Sequence, residues 1–347
     1  MSDLNLISSV TMVTRFRRAI FAALVVIGAQ AVFGAADEPP AWAYGTAPQQ
    51  ASPKPQASPN SQTSARTPDP TPRHLPGTDL TFTLAQIQDR FGPADWRPNE
   101  HPKMPDVVAH GRKPEIWACG LCHYPNGKGR PENAGVAGLP VDYFIVQMHD
   151  FRDGLRTSAD KRKFNTGIMI SIAKAMTDDE IKETATYFGS MKWTPWIKVV
   201  ETDTVPKTRT SVGMYLPIEG AGAGQEPIGD RIIETPVNAE ATETLRDPDS
   251  GFMAYAPKGS IAKGERLAVD GGGKTSPCGV CHGSDLKGLG PVPGIAGRSP
   301  SYLVRQMYDM QQGTRNGSWT QLMKPVVSKL SQEDMLNIAA YVSSQTP

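Results

Sequence analysis

The chain has 347 residues, which is enough for two modest domains and the connections between them. Its 36 basic and 35 acidic residues nearly balance, so it lacks the basic surplus of a nucleic-acid-binding protein, and we expect no nucleic-acid partner. Proline (31) and glycine (33) are frequent, which predicts much irregular chain. Aromatic residues make up only 7%, so the chain has little material for large cores of its own.

Residues 1–36 are predicted to form an export signal. Three arginines, Arg15, Arg17 and Arg18, precede an apolar run from Ala19 to Phe33, and small residues follow at 34–36. The run is shorter than the ~20 residues that a membrane-spanning helix needs. We therefore expect a periplasmic protein, and the alternative is an uncleaved signal that tethers it to the membrane.

Residues 37–77 are rich in proline, alanine, serine, glutamine and threonine and have no periodic apolar pattern. Such a composition is typical of a disordered, partly polyproline tether.

An internal repeat organises the rest of the chain. A shift of 159 residues places Cys119–His123 on Cys278–His282, and the match continues without a gap past Arg156, which falls on Arg315. The second copy is then five residues shorter, after which Met169 falls on Met323. Two copies predict a tandem pair of similar domains, over 78–194 and 258–347.

Each copy has a helical pattern. Apolar residues recur at helical spacing from Val141 to Phe151, and capping residues at Thr177 and Ser331 each start a further helix. Neither copy has a strong alternating strand pattern, so the predicted fold is all-α. The proline-punctuated segment 195–257 is expected to be irregular and to lie over one or both domains; within it, 197–200 reads as a short strand or as an extended packing segment.

All four cysteines lie in two C-x-x-C-H motifs. Two thiols three positions apart can add to the two vinyl groups of one porphyrin, and the adjacent histidine then supplies an imidazole ligand to the iron. A zinc site would place its two halves roughly 15–20 residues apart, and a redox dithiol would need a βαβ context. We therefore predict two covalently attached haem c groups, one at Cys119 and Cys122 and one at Cys278 and Cys281.

The proximal iron ligands are then His123 and His282. If both copies use the same sixth ligand, no other histidine qualifies, because none has a histidine counterpart in the other copy. The matched Met169 and Met323 lie 46 and 41 residues after their histidines, and we expect them in loops that reach the far face of each haem. The alternative is that these methionines only fill the core.

With these motifs, the chain resembles the dihaem class I cytochromes c of the cytochrome c4 and c553 type. Besides the two attachment motifs and the matched methionines, the resemblance rests on Ala137-Gly138 and Gly154-Leu155-Arg156 with their counterparts. It covers about half of the chain, near 105–190 and 260–345. It implies two small all-α cytochrome domains with His/Met iron, here joined by a long middle segment that departs from the compact family pattern.

Iron with six ligands has no open position for a substrate, so we expect an electron carrier with no catalytic residues. Its expected partners are redox proteins: a dehydrogenase, an oxidase or other cytochromes. One alternative is a cytochrome subunit of a dehydrogenase or oxidase complex. Another is a dihaem peroxidase, in which one iron would need an open position and nearby acid–base groups.

Three kinds of supporting residue are candidates for contacts with the haems. Arg156 and Arg315 either pair with haem propionates or are plain surface charges. Trp319 either donates its N–H to a propionate or only packs. Tyr143 and Tyr302 are expected to line the haem pockets.

Overall fold

Helices build the two sequence copies, and strands build most of the segment between them. The computed structural model of the chain describes residues 38–46 and 69–347. Within these residues the helices are α1 (Ala41–Tyr44), α2 (Leu84–Ile87), α3 (Asp106–Ala109), α4 (Cys119–His123), α5 (Val141–Arg152), α6 (Phe164–Ala175), α7 (Asp178–Gly189), α8 (Ala239–Glu243), α9 (Ser260–Asp270), α10 (Gly279–His282), α11 (Pro300–Gln311), α12 (Thr320–Val327) and α13 (Gln332–Ser344). The described residues from 39 onward, 39–46 and 69–347, belong to one compact unit, in which the two copies pack together.

The strands in the described residues are short. They are β1 (Arg73–His74), β2 (Thr81–Phe82), β3 (Ile197–Thr202), β4 (Thr204–Pro206), β5 (Thr208–Ser211), β6 (Met214–Pro217), β7 (Gln225–Pro227), β8 (Ile233–Pro236), β9 (Phe252–Pro257), β10 (Gly288–Leu289) and β11 (Val292–Pro293). No helix among the described residues is both long enough and apolar enough to cross a membrane.

In the first copy, α5 packs against α6 and α7 around an apolar core that includes Phe144, Ile181 and Phe188. The predicted start of α7 is confirmed: the Thr177 hydroxyl accepts from the backbone N–H of Glu180, and the Glu180 side chain accepts from the backbone N–H of Thr177. This capping box satisfies two backbone donors that a bare helix end would leave unpaired.

The second copy repeats this plan with α11 and α13, and it adds a long α9 that packs along α13. Ser331 and Asp334 form the same reciprocal cap at the start of α13. The core includes Val304, Met335 and Ala339. Gly264 marks a close helix contact, because a Cβ atom there would lie 1.9 Å from the carbonyl oxygen of Asn337.

The prediction of an all-α protein with an irregular middle segment is wrong for residues 195–257. The parallel partner of β3 is β9, whose other edge pairs antiparallel with β8; β4 pairs with β7 and β5 with β6. Apart from two-residue strands, the two copies themselves are helical. The strands of the segment are three to six residues long and several end in proline, so none is long enough to show a clear alternating pattern in sequence.

The middle segment is anchored on the first copy at Tyr124, the residue directly after the C-x-x-C-H motif. Tyr124 is buried in a small core with Trp196, Met214 and Phe252. Its backbone combines a positive φ of 61° with a ψ of 156°, a conformation almost confined to glycine, and the second copy has Gly283 at this position. A side chain in this conformation costs of order 1–3 kcal/mol, and the burial of the tyrosine ring offsets that cost.

Part of the predicted tether is folded. In residues 38–46, helix α1 buries Ala43 and Tyr44, and the Tyr44 hydroxyl donates to a carboxylate oxygen of Asp309 at 2.7 Å. Downstream, Arg73–His74 pairs as β1 with β2. At these residues the prediction of a disordered tether is wrong, because tertiary contacts order a sequence with no pattern of its own. The rest of the tether, 47–68, and the predicted export signal lie outside the described residues.

The contact between α9 and α13 leads to a stability prediction. Gly264→Ala should lower the free energy of unfolding by about 1–3 kcal/mol, because the added methyl group forces the two helices apart. Gly167→Ala, in α6, is the matched control: no atom lies within 4 Å of its Cβ position, and the change should stabilise by roughly 0.5–1 kcal/mol. Urea unfolding followed by circular dichroism measures both; equal stability of the two variants would contradict the close contact.

Candidate functional site

Each C-x-x-C-H motif lies at a short helix. Helix α4 spans Cys119–His123, and α10 spans Gly279–His282 with Cys278 as its N-cap. Cysteines three positions apart lie on one helix face, so both thiols of a motif point to the same side. This is the placement that two thioether bonds to one porphyrin require.

The thiols do not have the properties of a redox dithiol. Burial raises the pKa of the Cys119 thiol to about 12 and that of the Cys278 thiol to about 11, whereas reactive dithiols have lowered values. No two of the four cysteines are joined by a disulfide. Among the described residues there is also no group of three or more histidine, cysteine or acidic side chains that could hold a metal ion alone. Both observations weigh against the dithiol and zinc interpretations.

The two histidines of the motifs have identical partners in the repeat. His123 Nδ1 donates to the carbonyl oxygen of Ala134 at 2.8 Å, and His282 Nδ1 donates to that of Pro293 at 2.8 Å. Ala134 and Pro293 are themselves 159 residues apart. Because Nδ1 carries the proton, Nε2 keeps its lone pair for a metal. Burial lowers the pKa of both imidazoles, which favours this neutral form.

A cavity in the first copy brings the predicted ligands together. It measures about 1340 Å³ including its open mouth, and Cys119, Cys122, His123 and Met169 all line it. The walls are mostly apolar, and the polar lining residues suit the carboxylates of haem propionates, so the residues present fit a haem. The apolar wall includes Phe144, Met148, Ile172, Met176 and Phe188, and the polar part includes Gln147, Arg156, Lys163, Tyr302, Arg305 and Gln306.

The predicted methionine ligands lie on helices. Met169 is in α6 and Met323 is in α12, so the expectation of loop positions is wrong. Gly167 and Pro325 interrupt the helical pattern in sequence, although the structure tolerates both. Met169 lines the cavity, and Met323 packs against the same core as Cys278.

Met148, Met169 and Met176 all line the cavity. The cavity lining therefore does not show which of the three would be the iron ligand. The assignment of Met169 and Met323 as iron ligands therefore stays a prediction. Two of the four histidines outside the motifs are engaged elsewhere: His101 contacts a carboxylate oxygen of Asp95 at 3.1 Å, and His149 contacts one of Asp178 at 3.3 Å.

Arg156 crosses from the first copy to the second. Its guanidinium donates to Gln147 Oε1 at 3.0 Å within its own copy. It also donates to Gln306 Oε1 at 3.0 Å and to the Tyr302 hydroxyl at 3.2 Å, both on α11 of the other copy.

Arg315 makes the mirror set of contacts. It donates to Gln306 Oε1 at 3.0 Å in its own copy, and to Gln147 Oε1 and the Tyr143 hydroxyl of the other copy, both at 2.7 Å. Each of these residues lies 159 positions from its counterpart. The backbone follows the same symmetry, because Thr157 N–H donates to Thr314 and Asn316 N–H donates to Leu155, both at 2.7 Å. We call this set the arginine seam: Tyr143, Gln147, Leu155, Arg156, Thr157, Tyr302, Gln306, Thr314, Arg315 and Asn316.

The interpretation of these arginines as plain surface charges is wrong, because both are buried. Their hydrogen bonds go to amide and hydroxyl oxygens, and Arg315 Nε is buried without a partner. Tyr143 and Tyr302 both line the cavity, as expected. The Trp319 ring lies against Tyr143, with ring centroids 6.1 Å apart. Of the two buried guanidinium groups, Arg315 therefore has one donor, Nε, without a hydrogen-bond partner among the described residues.

The surroundings of the two motifs differ. Leu121, between the first pair of cysteines, is 8% exposed, whereas its counterpart Val280 is 69% exposed. The middle segment covers the first motif: Asn126 donates to the carbonyl oxygen of Pro248 at 2.9 Å, and Lys128 pairs with Asp249 at 3.3 Å. At the second motif, by contrast, Cys281 is exposed.

Comparison with known proteins decides the family. No family model matches the chain. Cytochrome c-554(548) of Halomonas halodenitrificans is 42% identical over 79 residues, which are 22% of this chain and 95% of that protein. Cytochrome c4 of Pseudomonas aeruginosa is 25% identical over 232 residues, which are 65% of this chain and 82% of that protein. The chain belongs to the dihaem class I cytochromes c.

A further relative is the thiosulfate dehydrogenase electron acceptor of Thiomonas intermedia. It is 25% identical over 239 residues, which are 67% of this cytochrome and 80% of that protein. This dihaem cytochrome c therefore holds two covalently bound haem c groups and carries electrons between redox partner proteins.

Two residues at the cavity of this cytochrome were missed by sequence reasoning. Lys163 lies in the stretch where the second copy is five residues shorter, so it has no counterpart there. This difference in length between the copies is the sequence feature that could have drawn attention to it. Arg305 belongs to α11 of the second copy but lines the cavity of the first. No local pattern could have indicated a contact across 174 residues, such as the one from Arg305 to the Pro131 carbonyl.

The symmetry of the seam predicts matched effects of matched substitutions. Tyr143→Phe and Tyr302→Phe each remove a hydroxyl that accepts from an arginine of the other copy, and each should lower the free energy of unfolding by about 1 kcal/mol. Tyr341→Phe is the control, because its hydroxyl has no hydrogen-bond partner in the described part of the chain. Urea unfolding of the haem-loaded protein tests this; stability unchanged in both seam variants would show that the cross-copy bonds are absent.

Proposed function

We propose that one haem is attached at Cys119 and Cys122 and the other at Cys278 and Cys281. The observation that supports this most is the cavity of the first copy, where both thiols, the free Nε2 side of His123 and Met169 share one lining. In the second copy, His282 has the equivalent carbonyl partner, and Met323 packs on the core that Cys278 also contacts. We propose His123 with Met169, and His282 with Met323, as the iron ligands.

The residues of each site would favour electron transfer over catalysis. A bound haem supplies a one-electron couple at its iron. The carbonyl that accepts from each Nδ1–H holds the imidazole in one orientation, which keeps rearrangement small when the charge changes. A methionine ligand raises the reduction potential relative to a second histidine. With both axial positions taken by protein side chains, no position is left for a substrate, so we propose no enzymatic activity.

The arginine seam supports a relay between the two haems. It joins the copies at residues that line the cavity of the first copy, and the guanidinium of Arg156, which is one of them, is suited to a propionate. A rigid contact of this kind would keep the two haems at a fixed separation, so that an electron accepted by one could pass to the other within the same chain.

The partner proposed here is a dehydrogenase, because one relative is named for accepting electrons from thiosulfate dehydrogenase. The cytochrome would act in the periplasm, as the predicted export signal indicates, either free or tethered by an uncleaved signal. Reduction of the purified cytochrome by a periplasmic dehydrogenase fraction tests the partner, and co-purification separates a stable subunit from a diffusing carrier. An oxidase as partner would instead oxidise the reduced cytochrome without reducing it.

A dihaem peroxidase is the weaker alternative. It would need one iron without a sixth ligand, yet Met169 shares the cavity of the first copy with Cys119 and Cys122, and Met323 packs on the core that Cys278 also contacts. A high-spin ferric spectrum together with turnover of hydrogen peroxide would favour the peroxidase and overturn the carrier.

The proposed methionine ligands make a spectral prediction. Met169→Ala and Met323→Ala should each remove half of the weak near-infrared absorption that arises from the sulfur–iron bond in ferric His/Met haem. Met148→Leu is the matched control, since Met148 also lines the cavity but lies on α5, and it should leave the band intact. If Met148→Leu removes the band and Met169→Ala does not, the first assignment is wrong.

The attachment sites make a separate prediction. Replacing Cys278 and Cys281 together by alanine should halve the covalent haem per chain, because only the first motif can then form thioether bonds. The pyridine haemochrome spectrum of denatured protein gives the count. Two haems per chain in this variant would show that the second motif is not an attachment site.

A further inference from the structure

One lysine of the first copy is buried without a partner. Lys163, at the start of α6, is 8% exposed, and its Nζ has no hydrogen-bond partner in the described part of the chain. It lines the cavity together with His123 and Met169. Burial is the main reason that its pKa falls to about 7, and the nearby Arg305 lowers it further. An ammonium in this position is costly unless a carboxylate comes within reach.

Two of the three neighbouring carboxylates accept hydrogen bonds from other groups. Glu132, Asp160 and Asp309 are the acidic residues that act on Lys163, and Arg305 is the opposing cation. Glu132 forms an ion pair with Arg130 at 2.6 Å, although neither of its buried carboxylate oxygens makes a hydrogen bond in the described part of the chain. Glu132 and Lys163 both lie next to Gly213. A Cβ atom built on Gly213 would lie 3.3 Å from Glu132 Cβ and 3.8 Å from Lys163 Nζ. No hydrogen bond joins Glu132 to Lys163.

The other two carboxylates are held by the upstream helix α1 and by the chain around Lys163. Asp160 accepts from Thr46 at 2.8 Å and from Arg162 at 2.7 Å. Asp309 accepts from the Tyr44 hydroxyl at 2.7 Å and from the backbone N–H of Ala159 at 2.8 Å. The protein thus supplies the ammonium with no hydrogen-bonded acceptor, although it buries the ammonium beside a cavity that fits a molecule with carboxylate arms.

We propose that Lys163 binds a propionate of the first haem as a charge-assisted pair. This inference rests on the proposed attachment of that haem at Cys119 and Cys122. The second copy has no equivalent residue, because Lys163 belongs to the stretch in which that copy is five residues shorter. Lys163 therefore makes the two haems electrostatically unequal.

The direction of the effect follows from charge. A cation beside a propionate stabilises the ferrous form, which has one positive charge fewer at the iron, and so raises the reduction potential of the first haem. In a buried site this effect is weakly screened by salt. Loss of Lys163 should favour the ferric form of that haem alone.

The experiment is a potentiometric titration of the haem-loaded full chain, resolved into two one-electron components. In Lys163→Met, we expect the equilibrium constant for reduction of one component to fall by roughly tenfold, which is about 59 mV for a single electron. The other component should keep its wild-type value. Lys163→Arg should restore the shifted component, because it keeps the positive charge and suits a carboxylate.

The matched control is Lys161→Met, two residues away and exposed, which should move neither component. Lys163→Gln is a second neutral variant, in case Lys163→Met does not accumulate, and it should shift the same component. Haem content is measured on every variant. Two haems per chain with both potentials unchanged would overturn the Lys163 proposal alone, and so would an equal shift of both components. Absence of haem at the first motif in the wild type would instead overturn the proposed attachment.

Discussion

The structure of this cytochrome depends on two buried arginines that lie side by side. Arg156 and Arg315 share the side-chain oxygens of Gln147 and Gln306, and each reaches a tyrosine of the other copy. Like charges at such a distance repel, and burial strengthens that repulsion. Their hydrogen bonds go to neutral oxygens, and Asp150 is a carboxylate that interacts with both arginines. The seam therefore joins the two copies, and Arg156 also lines the cavity of the first copy.

The symmetry of the seam contrasts with the asymmetry around it. The middle segment folds into short strands, anchors on Tyr124 and covers the first motif, while the second motif is open. Helix α1 packs instead on α11 of the second copy, where the Tyr44 hydroxyl donates to Asp309. The residues at the first motif are therefore more buried than their counterparts at the second, as Leu121 and Val280 show.

Local sequence rules predicted the parts of the fold whose causes are local. The caps at Thr177 and Ser331 form as expected. In each, the hydroxyl of the cap residue accepts from the backbone N–H three residues later, and the carboxylate of that later residue accepts from the backbone N–H of the cap residue. The rules failed where tertiary contacts override local preference. Met169 lies in a helix despite Gly167, the middle segment forms a sheet from strands too short to show a pattern, and Tyr44 is ordered by a partner 265 residues away.

The sequence by itself determined the chemistry: the spacing within each C-x-x-C-H motif and the 159-residue shift specify two matching haem sites, because thioether attachment depends on neighbours along one helix turn. Only the tertiary structure decided how those sites relate. The pairing of Arg156 with Gln306, the burial of Lys163 beside the first cavity and the covering of one motif all join residues far apart in the chain. Such contacts arise from packing, which a linear pattern of residues does not specify.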